Sequence, residues 1–123
     1  IYTYSNELMQ VLLNIIKNAQ DAFEDQDISS PKISILGYQT EIHQIIDIED
    51  NAGGVPEEYI EKIFEPYFST KDEKTGTGLG LYMSKTIIEK HCEGSLNFEN
   101  HSAGARFSIV LPLDNPKIET EST

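Results

Sequence analysis

The stretch NELMQVLLNIIKNAQDAFE, residues 6–24, decides the fold. Its apolar residues recur every three or four positions, which is the spacing of one face of an α-helix. The residues on this face are Leu8, Val11, Leu12, Ile15, Ala19, Ala22 and Phe23. Ser5 or Asn6 can cap the N-terminus of the helix. The stretch is therefore predicted to be a long amphipathic helix that packs against the elements that follow it.

Strand and helix signals alternate after this first helix. Residues 32–38 and 41–50 are isoleucine-rich runs separated by a short polar link, which predicts a β-hairpin. Pro56 can open a short helix, and residues 65–78 show no periodicity and are expected to form a loop. Residues 79–91 return to helical spacing. The residues expected to face the core from this helix are Leu79, Met83, Ile87 and Ile88.

A second hairpin closes the chain after Gly94, which is expected to end the preceding helix as a C-terminal glycine. The hairpin turns at residues 100–104, and its apolar positions are Leu96, Phe98, Phe107, Ile109 and Leu111. Antiparallel strand pairs with helices gathered on one face make an α+β two-layer sandwich. Residues 1–114 are predicted to form one domain, and residues 115–123 a polar tail.

Composition excludes several classes of function. The chain has 123 residues with 9 Lys plus Arg against 21 Asp plus Glu, a net charge of -12. It therefore lacks the positive surface needed to bind nucleic acid or an anionic membrane. Its single cysteine, Cys92, allows no internal disulfide, fits a cytoplasmic setting and is interpreted as an inert packing residue. We expect the chain to be a fragment of a parent protein that can be membrane-anchored. No apolar run reaches the roughly 18 residues of a membrane span, so we expect no direct membrane contact by this domain.

Three polar residues lie on one face of the first helix. Asn14, Asn18 and Asp21 occupy positions i, i+4 and i+7, so their side chains form one stripe. Asparagine lowers the stability of a helix interior because its side chain competes for backbone hydrogen bonds. The stripe is either a solvated face, which is the commoner case for such a pattern alone, or part of a polar site.

Asp50 ends the second predicted strand in a position that requires a partner. Ile46, Ile48 and Asp50 share one face because side chains alternate along a strand. Burial of a carboxylate without compensation is costly. Gly53 and Gly54 allow the backbone to approach a flat ligand, and an adenine amino group would satisfy Asp50. The structural alternative is an ordinary Asp-Asn turn with glycine.

A second glycine cluster, GTGLG at residues 76–80, precedes the later helix. Backbone amides at a helix N-terminus suit a phosphate group. The cluster has neither the residue order of a P-loop nor that of a dinucleotide-binding fold. Glycines alone are therefore weak evidence for a phosphate site.

Taken in order, these segments resemble the catalytic ATP-binding domain of bacterial two-component sensor histidine kinases. The wider superfamily includes gyrase, heat-shock chaperone and mismatch-repair ATPases. The four matching motifs are the N box NIIKNA (14–19), the G1 box DNAGG (50–54), the F box IFEPYFSTK (63–71) and the G2 box GTGLGL (76–81). The resemblance implies a Bergerat-type sandwich: a mixed, mainly antiparallel sheet with about three helices on one face, and ATP between the helices and a lid.

The resemblance also implies a role for each matching residue. Asn18 would coordinate Mg²⁺, Asn14 would lie beside the triphosphate, and Asp50 would accept a hydrogen bond from the adenine amino group. Phe64 and Phe68 would anchor the lid, although both also suit plain core packing. The remaining nucleotide-binding residues would be Gly54, Gly76, Thr77, Gly78, Leu79, Gly80 and Leu81.

Two positions bear on catalysis. Hydrolysing relatives have a glutamate where this chain has Asn14, and an amide cannot act as a base, so hydrolysis is expected to be slow. Many kinases of this family have a basic residue where this chain has Asp21. Lys71 in the lid is predicted to supply the missing positive charge, with Lys17 as the alternative. Asn14 and Lys71 are therefore the predicted catalytic residues.

The resemblance implies ATP or ADP and Mg²⁺ as ligands, and transfer of the γ-phosphoryl group to a histidine on a dimerisation domain. A response regulator would then be an indirect partner. The histidines of this chain, His43, His91 and His101, have no acidic residue directly after them and are interpreted as structural or exposed. One alternative is a gyrase-like or chaperone-like ATPase, which steady-state phosphate release would reveal. A second alternative is a serine kinase of the anti-sigma type, which requires transfer to a serine. A third is an interaction module with a decayed nucleotide site, and the four intact motifs argue against it.

Overall fold

The computed structural model of the chain describes residues 5–68, 80–101 and 104–113. The elements follow one another as α1 (Ser5–Gln26), β1 (Ile33–Gln39), β2 (His43–Asp50), α2 (Glu57–Ile60), α3 (Gly80–Thr86) continuing as a π-helix (Ile87–His91), β3 (Ser95–His101) and β4 (Gly104–Pro112). The predicted helices and strands that fall on these residues are present, with ends that differ by one or two residues.

The four strands form one sheet in the order β1-β2-β4-β3. In each neighbouring pair the described strands run antiparallel, so the predicted fold class is confirmed with an antiparallel sheet. Ile48 of β2 lies opposite Ile35 of β1 and opposite Phe107 of β4. The two hairpins are thus joined side by side through β2 and β4.

One face of the sheet packs against α1 and α3 and forms the hydrophobic core. The buried residues of this core are Val11, Ile15, Ile48, Ile63, Ile87, Ile88, Cys92, Leu96, Phe107, Ile109 and Leu111. Each large apolar side chain that is fully buried contributes about 1.5–3 kcal/mol. Among the described residues, no helix has both the length and the apolar composition that crossing a bilayer requires.

On the core-facing side of α3, the buried residue is Ser84 and not the predicted Met83. Met83 was expected in the core but is 43% exposed, whereas Ser84 is fully buried. Ser84 faces α1, where its hydroxyl accepts a hydrogen bond from Asn14. The helix then widens into π geometry, in which the amide of Cys92 donates to the carbonyl of Ile87 at 3.1 Å. A π turn holds an additional residue, so the helix end reaches the core although the α spacing is broken.

The prediction that Gly94 ends this helix by its conformation is also wrong. The left-handed residue is Glu93, with φ 58°. Gly94 donates its amide to the carbonyl of Ile88 at 2.9 Å, and a Cβ at this position would overlap the carbonyl oxygen of Val110. The glycine is therefore required by the close packing of the helix end on β4.

Cys92 is fully buried, as expected for a packing residue, and burial raises the pKa of its thiol from 9.0 to about 11. The thiolate is the reactive form, so the native protein at pH 8 is expected to resist an aromatic disulfide reagent that modifies the urea-denatured chain fully. The pKa of Cys92 is higher in the folded state than in the unfolded state. The buried thiol therefore makes its full contribution to the free energy of unfolding below about pH 9, and this contribution falls as the pH rises towards 11. Equal modification rates for native and denatured protein would contradict this assignment.

Candidate functional site

Asp50 lies at the end of β2 on the face that packs against the helices. Its Oδ1 accepts hydrogen bonds from the backbone amides of Ala52, at 2.9 Å, and Ala105, at 3.3 Å. Within the described part of the chain, its other oxygen, Oδ2, has no hydrogen-bond partner. The carboxylate is therefore held in place through one oxygen and presents the other to a donor from outside this part of the chain.

The loop after Asp50 depends on two glycines. Gly53 and Gly54 have φ values of 93° and 74°, which lie in the left-handed region that side chains disfavour. Ala52, just before them, is buried. A Cβ at Gly54 would stand 2.5 Å from the Oδ1 of Asn100. The loop thus combines a backbone shape and a close contact that only glycine permits.

Two asparagine side chains near Asp50 form hydrogen bonds with the backbone of other segments. Asn51 accepts from the amide of Lys32 and donates to the carbonyl of Ser30, both at 2.9 Å. Asn100 accepts from the amide of Val55 and donates to its carbonyl, both at 2.8 Å. Sequence reasoning assigned no role to Asn100, because asparagine near a turn is common and carries no distinguishing signal.

Gly104, where β4 begins, was also not identified as a site residue. A Cβ at Gly104 would overlap the carbonyl oxygen of Asp50 and would stand 2.8 Å from the Cα of Asn51. The start of β4 therefore packs directly against the backbone at the end of β2. This contact places the amide of Ala105 within reach of the Asp50 carboxylate.

The polar stripe of α1 is half-buried at Asn14, Asn18 and Asp21. Asn14 donates through Nδ2 to the Oγ of the buried Ser84 at 3.2 Å, so this part of the stripe faces α3 and is not a solvated surface. Lys17, proposed as an alternative source of positive charge, lies 3.4 Å from the carboxylate of Asp21 and is 68% exposed. Its charge is therefore paired at the surface.

The two phenylalanines of the predicted lid anchor are both half-buried against the core. Phe64 makes an edge contact with Phe107 at a centroid distance of 6.2 Å, and the ammonium group of Lys85 lies 4.9 Å from the centre of the Phe64 ring. Phe68 contacts Tyr59 at 5.5 Å. Core packing thus fixes the chain at the point where the predicted lid begins.

Several predicted site residues lie outside the described residues. They are Lys71, Gly76, Thr77, Gly78 and Leu79, and the predicted tail, residues 115–123, also lies outside. Gly80 begins α3, and Leu81 packs against the core. Apart from Gly80 itself, its chain neighbours and the backbone of α3, no heavy atom of the described residues lies within 4 Å of the point where a Cβ would stand at Gly80.

The resemblance implies a magnesium ion, for which the described residues offer single oxygen donors. The described residues include no group of three or more His, Cys, Asp or Glu side chains arranged to hold a metal. Mg²⁺ is usually bound through one or two protein oxygens together with substrate phosphates and water. The side-chain oxygen of Asn18 is a donor of this kind.

Comparison with known protein families covers nearly the whole chain. The model for histidine kinase-, DNA gyrase B- and HSP90-like ATPases matches residues 3–115. The histidine-protein kinase AtoS of Escherichia coli (strain K12) is 41% identical over 112 residues, which are 89% of this chain and 17% of AtoS. Sporulation kinase C of Bacillus subtilis (strain 168) is 37% identical over 109 residues, 88% of this chain and 24% of the kinase. The chain therefore spans about a quarter or less of the length of these relatives.

Two solved structures with a similar fold also come from histidine kinases. The nucleotide-free catalytic domain of histidine kinase ThkA superposes with a TM-score of 0.74 at 34% identity, over 87% of this chain and 67% of that chain. The mycobacterial sensor histidine kinase MprB has a TM-score of 0.74 at 27% identity, over 88% of this chain and 73% of that chain.

Proposed function

The chain belongs to the family of histidine kinase-, DNA gyrase B- and HSP90-like ATPases, and on this premise we propose that it binds Mg-ATP through Asp50. Its matched relatives and structural neighbours are sensor histidine kinases, so it is a catalytic domain of that type. We further infer that it donates the γ-phosphoryl group to a histidine on a dimerisation domain. The observation that carries the proposal is the Asp50 carboxylate, with one oxygen bound to two backbone amides and the other without a partner among the described residues.

Base recognition follows from the chemistry of this carboxylate. An ionised carboxylate only accepts hydrogen bonds, and the amino group of adenine only donates at the corresponding edge. Guanine carries a carbonyl oxygen there, which the carboxylate would repel. Gly53 and Gly54 have no side chain that could stand between the loop and a flat base, and their positive φ values favour glycine at both positions. Asp50 therefore supports selection of adenine over guanine.

Binding of the triphosphate requires positive charge, because the domain carries a net charge of -12. We propose that Asn18 holds Mg²⁺, which neutralises phosphate charge when bound, and that Asn14 contacts the triphosphate. The Nδ2 of Asn14 is engaged by Ser84, whereas its Oδ1 has no partner among the described residues. Lys71 remains the proposed lysine at the phosphates. Backbone amides at the glycine cluster of residues 76–80 would complete the phosphate site.

Transfer to a partner suits these residues better than hydrolysis does. The amide of Asn14 cannot remove a proton from water, so the chain supplies no base at that position. Transfer would depend on alignment of the nucleotide with the incoming histidine and on charge neutralisation. The response regulator would receive the phosphoryl group from that histidine. A cytoplasmic location, where ATP is available, follows from this proposal.

Calorimetric titration with ADP and ATP tests the binding step directly. We expect a dissociation constant between about 1 μM and 1 mM with Mg²⁺ present, and weaker binding of ATP after chelation of the metal. GDP is the matched control and is expected to bind at least about tenfold more weakly than ADP, because its carbonyl faces Asp50. Equal affinity for ADP and GDP would contradict the adenine assignment, and no binding of any nucleotide would contradict the proposal itself.

A further inference from the structure

We propose that Asn100 is a positioning residue for nucleotide binding, which holds the loop of residues 53–55 where adenine meets Asp50. The inference rests on the proposed function, because it assigns Asn100 to the Asp50 site. Asn100 would not contact the reacting phosphate. It would act through the backbone of Val55, to which it is bound by both ends of its amide.

The loop has few other restraints in the described structure. Residues 51–55 belong to no helix or strand, and Gly53 and Gly54 have no hydrogen bonds among the described residues. The start of the loop is fixed by the bond from the amide of Ala52 to Asp50. Its far end is fixed by the two bonds of Asn100 to Val55. Without Asn100, the loop would keep the attachments at its start, which are the bonds of Ala52 and Asn51, but at its far end only the packing of Val55 against the core.

One pair of opposite residues in the β3–β4 hairpin contacts both the Asp50 carboxylate and the glycine loop. Asn100 lies opposite Ala105 in the pairing of β3 with β4. Ala105 donates to the carboxylate of Asp50, and Asn100 binds the glycine loop that follows Asp50. The distance between carboxylate and loop is thus set by the spacing of two paired residues. Loss of Asn100 is expected to free the loop while Asp50 stays held.

Alanine substitution with a matched control tests the inference. Asn97 is an asparagine of the same strand, but an odd separation along the strand places it on the opposite face. There its side chain bonds, among the described residues, only to the Oγ of Ser95 at 3.3 Å. Asn100→Ala is expected to weaken Mg-ADP binding about tenfold in titrations of the 123-residue chain, whereas Asn97→Ala changes it less than about twofold. The inference is overturned if the two variants bind Mg-ADP equally well.

A pH profile distinguishes positioning from a general structural defect. In Asn100→Asp, the carboxylate can accept from the amide of Val55 but cannot donate to its carbonyl, whereas the protonated acid can do both. Its ADP affinity, relative to Asn97→Asp, is therefore expected to recover as the pH falls towards about 4. The charged groups near this part of the β3–β4 hairpin, Glu49, Asp50, Glu99, His101 and Arg106, are common to both variants. A ratio that does not change with pH would overturn the inference.

The outcome for Asp50 separates this inference from the proposed function. If Asp50→Asn removes binding while Asn100→Ala behaves as Asn97→Ala does, the positioning role fails and the proposed function stands. If Asp50→Asn also leaves Mg-ADP binding intact, the proposed function fails as well.

Discussion

Asp50→Asn is expected to reduce Mg-ADP affinity about 100-fold or more. The amide has the same shape, and its oxygen can still accept from Ala52 and Ala105. Its nitrogen would then replace Oδ2 and present a donor to the donor group of adenine. The loss of a charge-assisted hydrogen bond costs about 1.5–3 kcal/mol, and the facing donors add to this. Calorimetry with Mg-ADP measures the effect.

Asp47→Asn is the control for this substitution. Asp47 belongs to the same strand but lies on the face away from the helices, where it accepts from the hydroxyl of Ser108 at 2.7 Å. An asparagine oxygen can accept the same bond. Nucleotide affinity is expected to change less than about threefold, since Asp47 does not face the site. A similar loss of affinity in both variants would show that the effect of Asp50→Asn is not specific to its position.

Gly104→Ala is expected to destabilise the fold by about 3 kcal/mol or more. The added Cβ would overlap the carbonyl oxygen of Asp50 and stand 2.5 Å from its carbonyl carbon. These are backbone atoms at the end of β2, so relief requires β2 and β4 to separate. Urea unfolding followed by circular dichroism measures the change, and Mg-ADP binding should be lost with it.

Gly37→Ala is the matched control in the same sheet. A Cβ at Gly37 would have its nearest neighbour, the Nε2 of Gln44, at an ordinary distance of 3.8 Å. Alanine is favoured over glycine in a strand interior, so we expect a stabilisation of about 0.5–1 kcal/mol. If both variants unfold at the same urea concentration, the close packing of β4 against Asp50 is refuted.

Local patterns predicted most of the fold. The helical spacing of α1 places Val11, Ile15 and Ala19 in buried positions. Period-two alternation placed Asp50 on the same face as Ile48, which the structure confirms. These predictions succeed because burial of one face is a property of each element by itself.

Features that depend on distant contacts were not predictable in this way. Ser84 replaces Met83 on the buried side of α3 because α1 approaches at Asn14, 70 positions earlier in the chain. Asn100 binds Val55 across 45 positions, and no local period connects the two. In the sequence, Gly104 looks like an ordinary turn glycine, and only its contact with the backbone at the end of β2 shows why glycine is required. In each case the role of the residue is set by a neighbour that sequence spacing does not identify.

The pairing of β2 with β4 also has a consequence for folding kinetics. The strands of β1 and β2 are joined by a short turn between Gln39 and Gln44, whereas Asp47 and Ser108 are 61 positions apart. Closing the longer segment costs about 2 kcal/mol more in chain entropy than closing a turn of about five residues. The pairing of β2 with β4 is therefore the least local and the slowest step of folding. Since that step creates the Asp50–Ala105 contact, only the completed fold can bind nucleotide. A nucleotide at 100 times its dissociation constant would then protect the chain against unfolding and proteolysis by about 2.7 kcal/mol.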